Sequence, residues 1–214
     1  MEALQPFLDI FLHLDNHLGE IISQYGTMTY AILFLIIFAE TGLVIAPFLP
    51  GDSLLFAAGA LAAATGALHT TLLVLLLWVA AVLGDTVNYS VGATLGLSVL
   101  QRFPFVKREH ITYTERFYER HGGKTIILAR FLPIVRTFAP FVAGIGAMNY
   151  ARFVIYNILG GLLWVAVFIY LGFYFGNIPI IKQNFSLVIV GIIIASVMPG
   201  VIEFIRHRIS KAKV

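Results

Sequence analysis

The chain has 214 residues, 59% of them hydrophobic and only 12% charged, with a net charge of +3 and no cysteine. A soluble domain is typically about 45–50% apolar and about 25% charged, so the composition excludes a soluble enzyme, a disordered chain and a disulfide scaffold. It points to one small integral membrane domain, and the lack of cysteine also excludes thiolate metal sites and S-palmitoylation.

Residues 2–25 read as an amphipathic helix. Leu4, Phe7, Phe11, Leu14, Leu18 and Ile22 recur at steps of three and four, with Glu2, Asp9, His13, Asn16 and Glu20 on the other side. Such a helix is expected to lie along a membrane surface or against the protein itself. The histidine pair His13 and His17 reads as part of the polar face, because no third ligand accompanies it. The N-terminus lacks the cationic region of a signal peptide and is expected to be retained.

Residues 27–68 form the first broken segment. Residues 27–49 are apolar except for Glu40 and end in PFLPGD, from Pro47 to Asp52. A second apolar stretch follows with no polar loop between. Pro47, Pro50 and Gly51 interrupt the helix, which predicts a re-entrant hairpin. Irregular backbone at membrane depth must be buried in protein or line a cavity.

Residues 70–100 read as a full span carrying Asp85 and Asn88. Residues 101–124 are a basic polar loop containing an amphipathic helix. Residues 125–148 form the second broken hairpin, with Arg130 and Arg136 inside and breaks at Pro133 and Pro140. Residues 153–176 and 185–205 are two further spans joined by a short turn, Asn177–Asn184. Residues 206–214 are a basic tail. Gly92 with Gly96, and Gly172 with Gly176, are spaced for close helix packing.

All 14 Lys and Arg residues lie between Arg102 and Lys213. Basic short loops stay cytoplasmic, which places the central loop and the C-terminus inside. Counting three crossings (70–100, 153–176, 185–205), with each hairpin returning to its own side, agrees with that orientation. The tail also suits anionic lipid head groups, although a stop-transfer flank is its plainer reading.

The string LLWVA occurs at Leu76–Ala80 and again at Leu162–Ala166, and the same offset carries Pro47 onto Pro133. Each half reads as a broken hairpin followed by a tryptophan-bearing span. One crossing separates the halves, so the repeats are expected to be inverted, as in transporters whose sites lie where the breaks meet.

A charge at the centre of a spanning helix costs about 2.5–3.5 kcal/mol on insertion scales. Arg130 and Arg136 therefore require partners, and Glu40 and Asp52 of the first hairpin are the expected ones, with Asp85 a further acid at depth. A guanidinium pair offers planar donors that suit phosphate. A buried carboxylate can exchange protons near neutral pH. A structural ion-pair cluster is the bland alternative. GGKT, Gly122–Thr125, lacks the first glycine of a phosphate-binding loop, and no hydrolase motif is present.

Together these residues resemble the DedA family, also called the SNARE-associated or VTT-domain family. The carriers are Glu40 ahead of PFLPGD, GDTVNY at Gly84–Tyr89, and HGGKTIILARFLPIVRTFAPFVAG at His121–Gly144, continued by Asn157, Gly160 and Trp164. The resemblance covers roughly residues 20–205. It implies an all-α protein of the bacterial inner membrane: two opposed re-entrant hairpins, about three full spans and the N-terminal amphipathic helix.

The resemblance also implies translocation of a phosphate-bearing lipid between leaflets, such as undecaprenyl phosphate or phosphatidylethanolamine. By it Glu40, Asp52, Arg130 and Arg136 are the essential acids and arginines; their chemistry puts Arg130 and Arg136 on phosphate and Glu40, Asp52 and Asp85 in ion pairing or proton coupling, with Thr137, Asn157 and Trp164 in support. The expected partners are membrane lipids, with protons as the candidate coupling ion. No cofactor, metal, nucleic acid or enzymatic activity is expected, and self-association is left open. The competing readings are a proton-coupled transporter of a small cation or drug and a non-transporting envelope scaffold.

Overall fold

The computed structural model describes residues 14–43, 51–96 and 108–183. Every regular element among them is helical: α1 (Leu14–Gly42), α2 (Gly51–Thr65), α3 (Thr70–Leu95), α4 (Arg108–His121), α5 (Thr125–Ala129), α6 (Pro133–Val142), α7 (Tyr150–Gly176) and α8 (Pro179–Gln183). A 3-10 turn (Gly122–Lys124) precedes α5, and a π-turn (Ala143–Ala147) follows α6. Pro47, Pro50, residues 1–13, the span expected at 185–205 and the basic tail lie outside the described residues.

The helices α3 and α7, of 26 and 27 residues, are long and apolar enough to cross a membrane. Their faces are inverted relative to a soluble helix. On α3, Leu75, Val79, Leu83 and Val87 are exposed while Asp85 and Asn88 are buried. On α7, Ile155, Leu159, Leu162 and Leu163 are exposed while Asn157 is buried. An apolar outer stripe around a polar interior suits a lipid solvent, because polar groups at depth face the protein.

Two boundaries differ from the sequence reading. The expected division near residue 26 falls inside a helix, since α1 runs unbroken from Leu14 to Gly42. A lone glycine costs a helix only about 1 kcal/mol, too little to end one with apolar sequence continuing beyond it. Pro140 lies within α6, not at a break. The backbone instead widens three residues later into the π-turn, where the Met148 N–H donates to the Ala143 carbonyl at 3.3 Å. The interruption falls at Arg130–Leu132, and Pro133 occupies the first helical position of α6. Proline fits there because that N–H has no helical partner to lose. Leu132 before it is extended, at φ −120° and ψ 108°, as a residue preceding proline prefers.

The chain divides into two compact units. The first takes residues 1–29, 50–73 and 168–214, and the second takes residues 30–49 and 74–167. In the first, α2 packs on the C-terminal part of α7 through glycines. A Cβ at Gly59 would strike the backbone carbonyl of Ile169, and one at Gly172 the carbonyl of Phe56. Gly176 approaches Ala60 in the same way, and the rings of Phe56 and Phe175 lie 5.4 Å apart. Gly66, at φ +66°, then stops α2, its N–H donating to the Ala62 carbonyl at 3.1 Å.

The second unit repeats this contact with other residues. A Cβ at Gly144 would strike the carbonyl of Tyr89, and one at Gly92 the carbonyl of Phe141. Phe56 and Gly59 face Ile169 and Gly172 in one unit; Phe141 and Gly144 face Tyr89 and Gly92 in the other. Gly96 takes no part in such a contact, having nothing within 4 Å and a φ of +51°.

The amphipathic α4 covers this unit. Ile111 and Thr114 are buried, while Tyr113, Glu115, Arg116, Glu119 and Arg120 are exposed. Ile111 joins Phe138, Phe141 and Val142 in one apolar cluster, and Ile126, Ala129, Val135, Ala139, Ala143 and Phe153 form another. Tyr118 packs on both clusters and donates its hydroxyl to the Ala139 carbonyl at 2.9 Å. Burial, reinforced by the Asp85 charge, pushes that hydroxyl's pKa up. A raised tyrosine pKa contributes stability that is present below the unfolded value of about 10 and lost above it. Tyr118→Phe is therefore expected to cost about 1 kcal/mol, equally at pH 6 and pH 9, in melts of the detergent-solubilised protein.

Candidate functional site

The polar interior of the second unit gathers side chains from helix ends and from the middle of the long helices. Glu40 sits in the last turn of α1, 3% exposed, and Asp85 lies on α3, 4% exposed. Arg130 follows α5 at the interruption and Arg136 occupies the first turn of α6. The Arg136 N–H closes that turn onto the Leu132 carbonyl at 2.8 Å. The two arginines are six positions apart, and the break brings both side chains inward while Phe131 and Leu132 stay exposed.

Each guanidinium is paired with a buried carboxylate. Arg130 Nη2 donates to Asp85 Oδ2 at 2.5 Å and to Asn157 Oδ1 at 2.6 Å. Arg136 Nη2 donates to Glu40 Oε1 at 2.6 Å. Both arginines are buried, and their guanidinium carbons lie 5.7 and 5.5 Å from the centre of the fully buried Trp164 ring. One indole thus lies within cation–π range of both charges. Arg130 Nε is buried with no hydrogen-bond partner among the described residues.

Side-chain amides fix this arrangement. Asn157 Nδ2 donates to the Val82 carbonyl at 3.0 Å, which orients its oxygen toward Arg130. Asn88 Nδ2 donates to the carbonyls of Thr41, at 3.2 Å, and Thr137, at 2.9 Å. Asn88 therefore ties the end of α1, beside Glu40, to α6, beside Arg136. The Thr41 carbonyl is one of the last of its helix and has no further turn to bond. Glycines permit the close fit: Cβ atoms at Gly160 and Gly161 would lie 3.4 and 3.3 Å from the Arg130 guanidinium. Asn88→Ala leaves both carbonyls without this donor and is expected to cost about 1–3 kcal/mol, read as a fall in melting temperature.

The expected pairing is corrected in one respect. Glu40 neutralises Arg136 as expected, and Arg130 is paired with Asp85 of the long span, an acid expected at depth but not expected as its partner. Asp52 belongs to the first unit, half-buried in the first turn of α2. Charge and hydropathy identified the acids at depth but not which of them the fold brings beside Arg130. Thr137, Asn157 and Trp164 are all buried in the second unit. Asn88 is a site residue that sequence reasoning misses, although it lies within GDTVNY and is an amide in a mostly apolar span. No group of three or more metal-ligating side chains occurs among the described residues.

The VTT domain model matches residues 49–174. The chain is 53% identical to protein DedA of Escherichia coli (strain K12) over its full length and 99% of that protein. It is 41% identical to an uncharacterized membrane protein of Mycobacterium leprae (strain TN), covering 78% of this chain and 75% of the relative. It is 39% identical to the inner membrane protein YqjA of Escherichia coli (strain K12), covering 72% and 70%. No solved structure matches. With its paired arginines, buried acids and lipid-suited helices, the chain belongs to the DedA, or VTT-domain, family of membrane proteins.

Proposed function

We propose that the protein moves a phosphate-bearing lipid, such as undecaprenyl phosphate or phosphatidylethanolamine, between the leaflets of the inner membrane. The observation that carries this reading is the pair of buried arginines on one tryptophan, each paired with a buried carboxylate. A guanidinium has five donors, and the buried Nε of Arg130 has no partner among the described residues. A phosphate oxygen supplies the acceptor that such a donor lacks, and a phosphate that displaces a carboxylate keeps the arginine neutralised. The released acid, left without its cation in an apolar interior, takes up a proton. Entry of the anionic head group would in that way be linked to protonation of Asp85 or Glu40.

The recurring glycine contact supports an inverted repeat: in each unit, Phe and Gly three residues apart meet a partner pair of the same spacing. The helix interruption before Pro133 supports a re-entrant second hairpin. PFLPGD is its counterpart in the first half, and the basic central segment would face the cytoplasm. The protein on this reading is a transporter and not an enzyme.

The test is reconstitution in liposomes, measuring leaflet exchange of labelled phosphatidylethanolamine and undecaprenyl phosphate with and without a proton gradient. Faster exchange of one lipid, accelerated by the gradient, is expected. No exchange of either lipid by folded protein would contradict the reading.

A further inference from the structure

A cavity of about 390 Å³ lies outside the arginine site, where α4, the 3-10 turn and the start of α7 meet. Its size falls within the range of about 300–1,000 Å³ typical of small-molecule sites. Glu119, Asn149 and Arg152 line it as exposed side chains, and Tyr118 and Tyr156 as half-buried ones. Gly123 shapes one wall: a Cβ there would lie 2.6 Å from Tyr156 Cε2, so only glycine lets that ring lie against the turn.

The charges in this cleft are unspent. Arg152 and Glu119 line the same cavity yet form no ion pair with each other or with any other described residue. Asn149 Oδ1 accepts from the Ala151 N–H at 2.9 Å, which leaves its amide donors for a ligand. The Tyr118 hydroxyl is committed to Ala139, so its ring contributes a wall. An unpaired cation and an unpaired anion lining one cleft complement a ligand that carries both signs. A simple anion would face the Glu119 carboxylate and a simple cation the Arg152 guanidinium.

We infer that this cleft binds a zwitterion with an oxyanion and an ammonium group on a short linker. Arg152 and Asn149 take the oxyanion, Glu119 takes the ammonium, and the aromatic walls cover the linker. The inference does not depend on transport at the arginine site, since no residue of that site lines the cleft.

The test is calorimetric titration of the full chain in detergent with phosphorylethanolamine, inorganic phosphate and ethanolamine as probes. Phosphorylethanolamine is expected to bind at least about tenfold tighter than either fragment. Arg152→Gln is expected to weaken it by about tenfold or more, and Glu119→Gln to reduce it to the affinity of phosphate, about 1.4 kcal/mol for each tenfold. Both positions are exposed, so an unchanged melting temperature confirms that the variants fold. Equal binding of phosphorylethanolamine and phosphate, or variants that bind like wild type, would overturn the inference.

Nanodiscs identify the source of the ligand. Weaker probe binding in phosphatidylethanolamine discs than in phosphatidylglycerol discs supports a lipid head group, and equal binding supports a soluble zwitterion. Loss of lipid exchange with probe binding intact would sink the transport reading alone.

Discussion

Arg130→Ala is expected to destabilise the second unit by about 3–5 kcal/mol, whereas Arg130→Gln combined with Asp85→Asn should stay within about 1 kcal/mol of wild type. Removing one member strands Asp85, 4% exposed, without the guanidinium at 2.5 Å that neutralises it. An uncompensated buried charge is among the costliest lesions a fold can carry, while neutralising both partners together often changes stability little. Asn157 sharpens the contrast, because its oxygen also loses a donor in the single variant. The same argument applies to Arg136 and Glu40, at 2.6 Å. Unfolding in graded denaturant separates the outcomes, and equal losses for the single and double variants would show that the pair is not what holds this region.

Gly172→Val is expected to cost about 3 kcal/mol or more through a different mechanism. A Cβ at Gly172 runs into the Phe56 backbone carbonyl, and on the other helix one at Gly59 runs into that of Ile169. No rotamer relieves a clash between Cβ and backbone, so α2 must leave α7 and give up the contact of Phe56 with Phe175. Overpacking typically costs about 1–3 kcal/mol, and more where the neighbour cannot yield. Gly66→Ala provides the control: nothing lies within 4 Å of it, so its cost is limited to the positive φ. Thermal melts should rank Gly172→Val well above Gly66→Ala, and the reverse order would refute the close approach.

Much of this was legible in the sequence because charges are costly among apolar residues. Glu40, Asp85, Arg130 and Arg136 stood out for that reason, and all four are buried in two ion pairs. The long apolar runs gave α3 and α7, and Pro133 marked the interruption. Pairing was less legible, because it depends on which helices approach. Composition does not say which acid meets Arg130; it is Asp85, beside the backbone of Gly160 and Gly161. Pro140 does not end its helix because a proline removes a single N–H bond, a cost that packing can offset, and α6 runs on to Val142. Asn88 was passed over because an amide's role lies in the carbonyls it meets, and those of Thr41 and Thr137 are far away in sequence.

On the proposed mechanism the arginines exchange their carboxylates for a lipid phosphate. It is tested most directly by leaflet exchange in liposomes holding the charge-neutralised Arg130→Gln/Asp85→Asn protein, matched to wild type in stability and amount. Exchange at the protein-free background is expected for the double variant and rapid exchange for wild type. Exchange at the wild-type rate in the folded double variant would contradict it, leaving the buried pair a purely structural feature.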